Sequence, residues 1–188
     1  MSNGGMFIWT RVMERLAGSV ASAGTVCSAP LRGYDPAPDS PISIIDFHGR
    51  LDSTIPMSPE GPDNLGPGNQ NILILIRFTS AVNLNYTFAA GPDNTTLAME
   101  GFYYHIKESH LAKVRGAMHC EETSSAYPTH MDGVEGWACR RWGGCDGGNE
   151  VVSCTGDYGH NYPFFPLHYV DGLQIMWDFM KAHPKKNI

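Results

Sequence analysis

Near the start of the chain Met6, Trp9, Met13 and Leu16 recur at helical spacing, with Arg11, Glu14 and Arg15 between them. The pattern predicts an amphipathic helix with those four side chains on its buried face. Pro41-Ile42-Ser43-Ile44-Ile45-Asp46-Phe47 is a short apolar, β-branched run, the pattern of a strand covered on both faces. Glu150 to Cys154 predicts a second strand. Glu108 to His119 predicts a helix, bent or broken near Gly116. Val170, Leu173, Trp177 and Met180 form one stripe of a closing helix, with Lys181 and His183 in its last turn and Pro184 as its stop. Tyr127 to Trp137 has no periodicity and predicts a surface loop pinned by cysteines. Neither a repeat nor a linker divides the chain, so residues 1–188 are expected to form one domain.

One stretch interrupts this order. Asn69-Gln70-Asn71-Ile72-Leu73-Ile74-Leu75-Ile76-Arg77-Phe78, continuing to Phe88, is apolar and Asn-rich between Pro/Gly-rich flanks. The plain reading of residues 69–89 is an added strand or hairpin, since Ile72 to Phe78 has the β-branched content for one. The sharper reading is a translated intron. Gly68-Asn69 accommodates a GT donor, Phe88-Ala89-Ala90 a pyrimidine run ending in CAG, and excision joins Gly66-Pro67-Gly68 to Pro92-Asp93-Asn94. On either reading the run has the composition of an aggregation-prone strand.

The chemistry lies at the ends of the predicted strands. Met1-Ser2-Asn3-Gly4-Gly5 reads as the tail of a G-x-S-x-G turn, in which a strained strand-to-helix corner presents the serine and glycines let strand and helix crowd together. Gly4 is expected to supply that close approach. The first strand runs into His48-Gly49-Arg50-Leu51-Asp52-Ser53-Thr54-Ile55-Pro56, placing an acid on the following loop. The second runs into Gly156-Asp157-Tyr158-Gly159-His160, a glycine-flanked histidine. The order Ser, Asp, His is that of the α/β-hydrolases and differs from those of chymotrypsin and subtilisin. Asp46, inside a strand, and Asp157, close in sequence to His160, are weaker acids for this purpose. His48 reads as a packed or hydrogen-bonded histidine. Taken singly, each of these residues has an ordinary explanation in a terminus, a turn or a loop; their order on the predicted elements favours the catalytic one.

S-N-G-G-M at the turn, H-G-x-x-D-x-x-x-P after the strand and G-H-x-[WY]-P near the end together resemble the secreted esterase family of feruloyl esterases and polyhydroxybutyrate depolymerase-like proteins. Gly144-Cys145-Asp146-Gly147-Gly148-Asn149-Glu150-Val151 and the closing Trp177-Asp178-Phe179 extend the resemblance over most of the chain, with Tyr162 where bacterial members usually carry Trp. The resemblance implies an α/β fold, a mostly parallel sheet flanked by helices, formed by the C-terminal portion of an α/β-hydrolase without its N-terminal strands. It implies Ser2 as nucleophile, Asp52 as acid, His160 as general base and the Asn3 backbone amide as an oxyanion donor. The substrate would be a small or polysaccharide-linked ester of feruloyl, acetyl or hydroxyalkanoate type, cleaved by acyl transfer without a cofactor. It also implies disulfides from Cys120 to Cys145 and from Cys139 to Cys154, leaving Cys27 with a partner upstream.

Composition agrees with a globular domain: 42% hydrophobic residues in 188, with a formal net charge of -6. With no basic run beyond Lys185-Lys186, neither nucleic acid nor an anionic membrane is an expected partner. Arg11, Glu14 and Arg15 break any signal-peptide core in the N-terminal stretch. The five cysteines lack paired C-x-x-C spacing and no H-E-x-x-H occurs, so a disulfide framework is expected rather than a metal site. The sequons at Asn85 and Asn94 accord with secretion. Met1 fits the variable position of the elbow, as if translation started inside a longer gene. Without the upstream strand and second oxyanion amide, the chain would carry a triad yet fold poorly alone or lack activity. Two rival readings are a prolyl-oligopeptidase-like serine peptidase, which shares the S-N-G-G turn, and a non-catalytic remnant or secreted binding protein.

Overall fold

A computed structural model of the chain describes residues 1–34, 36–58, 90–91, 93–98, 100–128, 138–160 and 169–185. Residues 69–89, the Asn85 sequon, Tyr162 and most of the Tyr127–Trp137 segment lie outside these. The chain opens with helix α1 (Asn3–Phe7), continues through a π-helical turn (Ile8–Val12) and ends in the short helix α2 (Met13–Arg15). Trp9 and Met13 are fully buried as the pattern predicts. Leu16 is 43% exposed, because the residue leaves helical geometry at φ -129° and turns its side chain away from the buried face.

Strands β1 (Ser22–Val26), β2 (Ser43–Gly49), β6 (Ser125–Ala126), β7 (Ala138–Cys145) and β8 (Asn149–Gly156) make a mixed sheet in the order β1-β2-β8-β7-β6. The three strands β1, β2 and β8 are parallel; β7 and β6 add antiparallel. β2 is buried at all seven positions, Ser43, Asp46 and His48 included, as befits an interior strand covered on both faces. A small antiparallel sheet of β3 (Ala90–Gly91), β4 (Thr95–Leu97) and β5 (Tyr103–His105) lies apart from it.

Helices cover both faces, which makes this an α/β arrangement. On one face Trp9, Met13, Ile44, Leu111, Val114, Trp142 and Val151 pack together, Leu111 and Val114 coming from helix α3 (Lys107–Ala117). On the other, Val26, Ile45, Phe47, Val152, Ile175 and Phe179 pack together under helix α4 (Tyr169–Ala182). The buried stripe of α4 is Ile175 and Phe179, with Met176 and Met180 over Gly24 of β1. Leu173 and Trp177, expected on that stripe, are exposed at 39% and 59%. They sit two positions before Ile175 and Phe179, so roughly 200° of rotation along the helix separates them from the face toward the sheet.

Cys120 is bonded to Cys145 and Cys139 to Cys154, the latter across directly paired positions of β7 and β8. Cys27 is a buried thiol. Asn94 is exposed in the turn that leads into β4. Among the described residues no helix is long and apolar enough to cross a membrane.

Candidate active site

The parallel strands end on one side of the sheet, and the loops that leave β1, β2 and β8 meet there. Ser2 precedes α1 with φ 50° and ψ -123°, a left-handed backbone uncommon for a residue with a Cβ. Its amide donates to the Val26 carbonyl at the end of β1 (3.1 Å), and the Met6 amide donates back to the Ser2 carbonyl (2.9 Å). The turn is therefore tied to the sheet on one side and to the helix on the other. A Cβ at Gly4 would meet nothing, whereas one at Gly5 would run into the Ser28 side chain. The close approach expected at Gly4 falls on Gly5, which is the buried one of the pair.

β2 delivers the acid. Gly49 sits where a Cβ would strike the Tyr158 carbonyl, so the glycine allows the acid loop and the histidine loop to touch. The Arg50 amide donates to the Gly156 carbonyl (2.8 Å) and the Leu51 amide to that of Tyr158 (3.1 Å), which zips the loops together. Asp52 is buried, and its Oδ1 accepts the amides of Thr54 (2.9 Å) and Ile55 (2.8 Å). Its Oδ2 lies 2.9 Å from Nδ1 of His160 and 3.5 Å from Nε2 of His48. Burial opposes its charge, but the hydrogen bonds from His160, His48 and Ile55 outweigh it and hold the carboxyl down at about 2.

His160 completes a chain of contacts. Its Nε2 lies 3.0 Å from the Ser2 Oγ and its side chain keeps 18% of its surface, while Asp52 beneath it has none. With Nδ1 donating to the carboxylate, Nε2 is left to accept the serine proton. The three residues, distant in sequence, thus stand in the hydrogen-bonding order that activates a hydroxyl for attack. The Asn3 amide opens α1, where first-turn amides have no acceptor within the helix. Asp46 and Asp157, the weaker acids, are engaged elsewhere: Asp46 by Thr25 and Lys107 in the core, Asp157 by Arg50 at 2.6 Å.

Two neighbours had no place in the sequence reading of the site. Cys27, just past β1 at φ 46°, has its sulfur near the ligand atoms of Asp52 and His160, all within 4.8 Å of one another. Burial, with the Asp52 charge adding to it, pushes the thiol up to about 12, so Cys27 is a neutral thiol and no competing nucleophile near neutral pH. Lys107, the first residue of α3, reaches under the acid loop to His48. No sequence signal marks it, since a lysine opening a surface helix is ordinarily solvated. Scans of the chain against protein-family models and against curated proteins find no match.

Proposed function

We propose that this chain is a serine esterase of α/β-hydrolase type. The observation that carries the reading is the contact chain Ser2 Oγ, His160 Nε2, His160 Nδ1, Asp52 Oδ2, at 3.0 and 2.9 Å, with Ser2 on a left-handed turn at the head of a helix. His160 takes the proton as Ser2 Oγ attacks the ester carbonyl. Asp52 holds the ring in the Nδ1–H form and stabilises the imidazolium, which then protonates the leaving alcohol. Water, activated by the same histidine, releases the acid. The Asn3 amide, at the head of α1, is the donor assigned to the developing oxyanion, where one such donor is worth about 10²- to 10³-fold in rate.

The substrate class is a carboxylic ester of feruloyl, acetyl or hydroxyalkanoate type, and the two disulfides and the exposed sequon at Asn94 accord with an extracellular site of action. The direct test is covalent labelling. A fluorophosphonate reagent should modify Ser2, located by peptide mass spectrometry, and Ser2→Ala should abolish it. Hydrolysis of aryl and feruloyl esters in preference to peptide anilides is expected. The reverse preference would make the protein a peptidase, and an unlabelled Ser2 would remove the catalytic reading.

A further inference from the structure

Beneath the acid loop lies a second buried set of charges. Asp46 and His48, two apart on β2, point to the same face of the sheet, as does Thr25, which stands opposite Asp46 in the β1–β2 register. Thr25 donates to Asp46, and the Lys107 ammonium, arriving from α3, is in contact with the same carboxylate. The ammonium is also 3.2 Å from Nδ1 of His48, whose Nε2 lies 2.8 Å from the Ile55 carbonyl and 3.5 Å from Asp52 Oδ2. All of these side chains are buried.

The protons follow from the partners. A carbonyl only accepts, so Nε2 of His48 carries hydrogen; an ammonium only donates, so Nδ1 is bare. Protonating His48 would turn an N–H toward the ammonium, which forbids it. Burial pulls the Lys107 ammonium down to about 7, while the Asp46 carboxylate in contact with it favours the charged form. Cys27 and Tyr158, the other titratable groups at the site, are kept neutral because burial raises both. Lys107 and Asp46 therefore cancel, and the uncompensated charge left in the pocket is that of Asp52.

We propose that Lys107 and His48 are positioning residues for the acid. Lys107, paired with Asp46, locks His48 as a neutral Nε2–H donor, and that donor pins the Ile55 turn whose amide holds Asp52, so that the Asp52 charge acts on His160. The proposal rests on the esterase reading of Ser2, Asp52 and His160, and its experiment separates the two. Imidazole ¹⁵N spectra of the whole chain should show neutral His48 with its proton on Nε2 and Nδ1 bare. A neutral His48 that carries its proton on Nδ1 overturns the proposal whatever Ser2 does.

In the charge-neutral double variant Lys107→Met with Asp46→Asn, no donor faces Nδ1 of His48, and the Nε2–H tautomer should no longer be fixed. The fluorophosphonate labelling rate of Ser2 should fall roughly 10- to 100-fold, with the acid limb of its pH profile displaced. An unchanged rate and profile overturns the positioning role. Should that variant fail to fold, His48→Gln and His48→Leu replace it: glutamine keeps an N–H for the Ile55 carbonyl and should retain labelling that leucine loses, and equal rates overturn the role. If wild-type Ser2 resists labelling while the spectra are as expected, the esterase reading has failed and the positioning role falls with it.

Discussion

His48 lies at the end of strand β2 and His160 on the loop past β8, each adjoins a glycine, and each has a ring nitrogen within 3.5 Å of the same oxygen of Asp52. Their surroundings separate them. His48 is fully buried, with a lysine on one nitrogen and a backbone carbonyl on the other. His160 has a carboxylate on one side, a hydroxyl on the other, and an edge open to solvent. A histidine caught between a fixed donor and a fixed acceptor is structural, whereas one between an anion and a hydroxyl that can give up its proton is a base. The residue type and the approach to Asp52 are alike; the partners decide the role.

Removing the oxygen that both rings approach should have the largest effect. In Asp52→Asn the amide can present its NH₂ to His160, favouring the wrong tautomer, and the Ser2 labelling rate is expected to drop about 10³- to 10⁴-fold while the fold persists. The same variant tests the charge. Because the folded Asp52 is lowered to about 2 from 3.8, its contribution is full above 3.8 and is lost as pH falls toward 2. Wild type should therefore lose on the order of 2 kcal/mol more than Asp52→Asn over that interval in urea titrations, and parallel acid profiles would show that the carboxylate is not held as described. His160→Ala should come next, lowering labelling about 10²- to 10⁴-fold with a smaller loss of thermal stability, since the ring is only 18% exposed and its hydrogen bond helps hold the buried Asp52 charge. Equal loss of labelling and of stability would erase the distinction between the two histidines.

A smaller effect is expected where the two loops touch. In Gly49→Ala the new methyl must displace the Tyr158 backbone, because the obstacle is a carbonyl rather than a flexible side-chain end. The cost should be about 1–3 kcal/mol by chemical denaturation. A shift of the His160 loop by an ångström should reduce labelling by as much as 10²-fold. A variant as stable and as reactive as wild type would mean that the loops do not need their contact.

How much of this was legible beforehand divides along the same line. Ser2, Asp52 and His160 stood out because a serine in a Gly-rich turn, an acid past an apolar run and a glycine-flanked histidine follow one another in that order, and the structure brings the three together. β2 was legible as that apolar run. β1 was not, since Ser22-Ala23-Gly24-Thr25-Val26 has little apolar content and becomes a strand by pairing with β2. β7 was not predicted because Arg140, Arg141, Gly143 and Gly144 break any apolar alternation; its buried positions, Cys139, Trp142 and Cys145, reveal a strand only against β8. Lys107 was invisible because its partners Asp46 and His48 lie 61 and 59 residues away and nothing local requires a buried cation there. Gly5 was passed over for Gly4 because the choice depends on Ser28, a contact between a helix and the loop after β1.

The smallest effect should come from the other charge pair between elements of the site. Arg50 and Asp157 lie on the acid and histidine loops at 2.6 Å, closer than many buried pairs, yet Arg50 keeps 48% of its side-chain surface and Asp157 34%. Water already solvates both charges, salt screens them, and closing the pair fixes two flexible side chains. The loops are joined in any case by the backbone bonds from Arg50 to Gly156 and from Leu51 to Tyr158, which Arg50→Ala leaves intact. That substitution should therefore cost less than about 1 kcal/mol and leave the labelling rate within about twofold, with any loss vanishing at high salt. A larger loss that survives salt would mean that the exposed pair, and not the backbone zip around Gly49, sets the distance from Asp52 to His160.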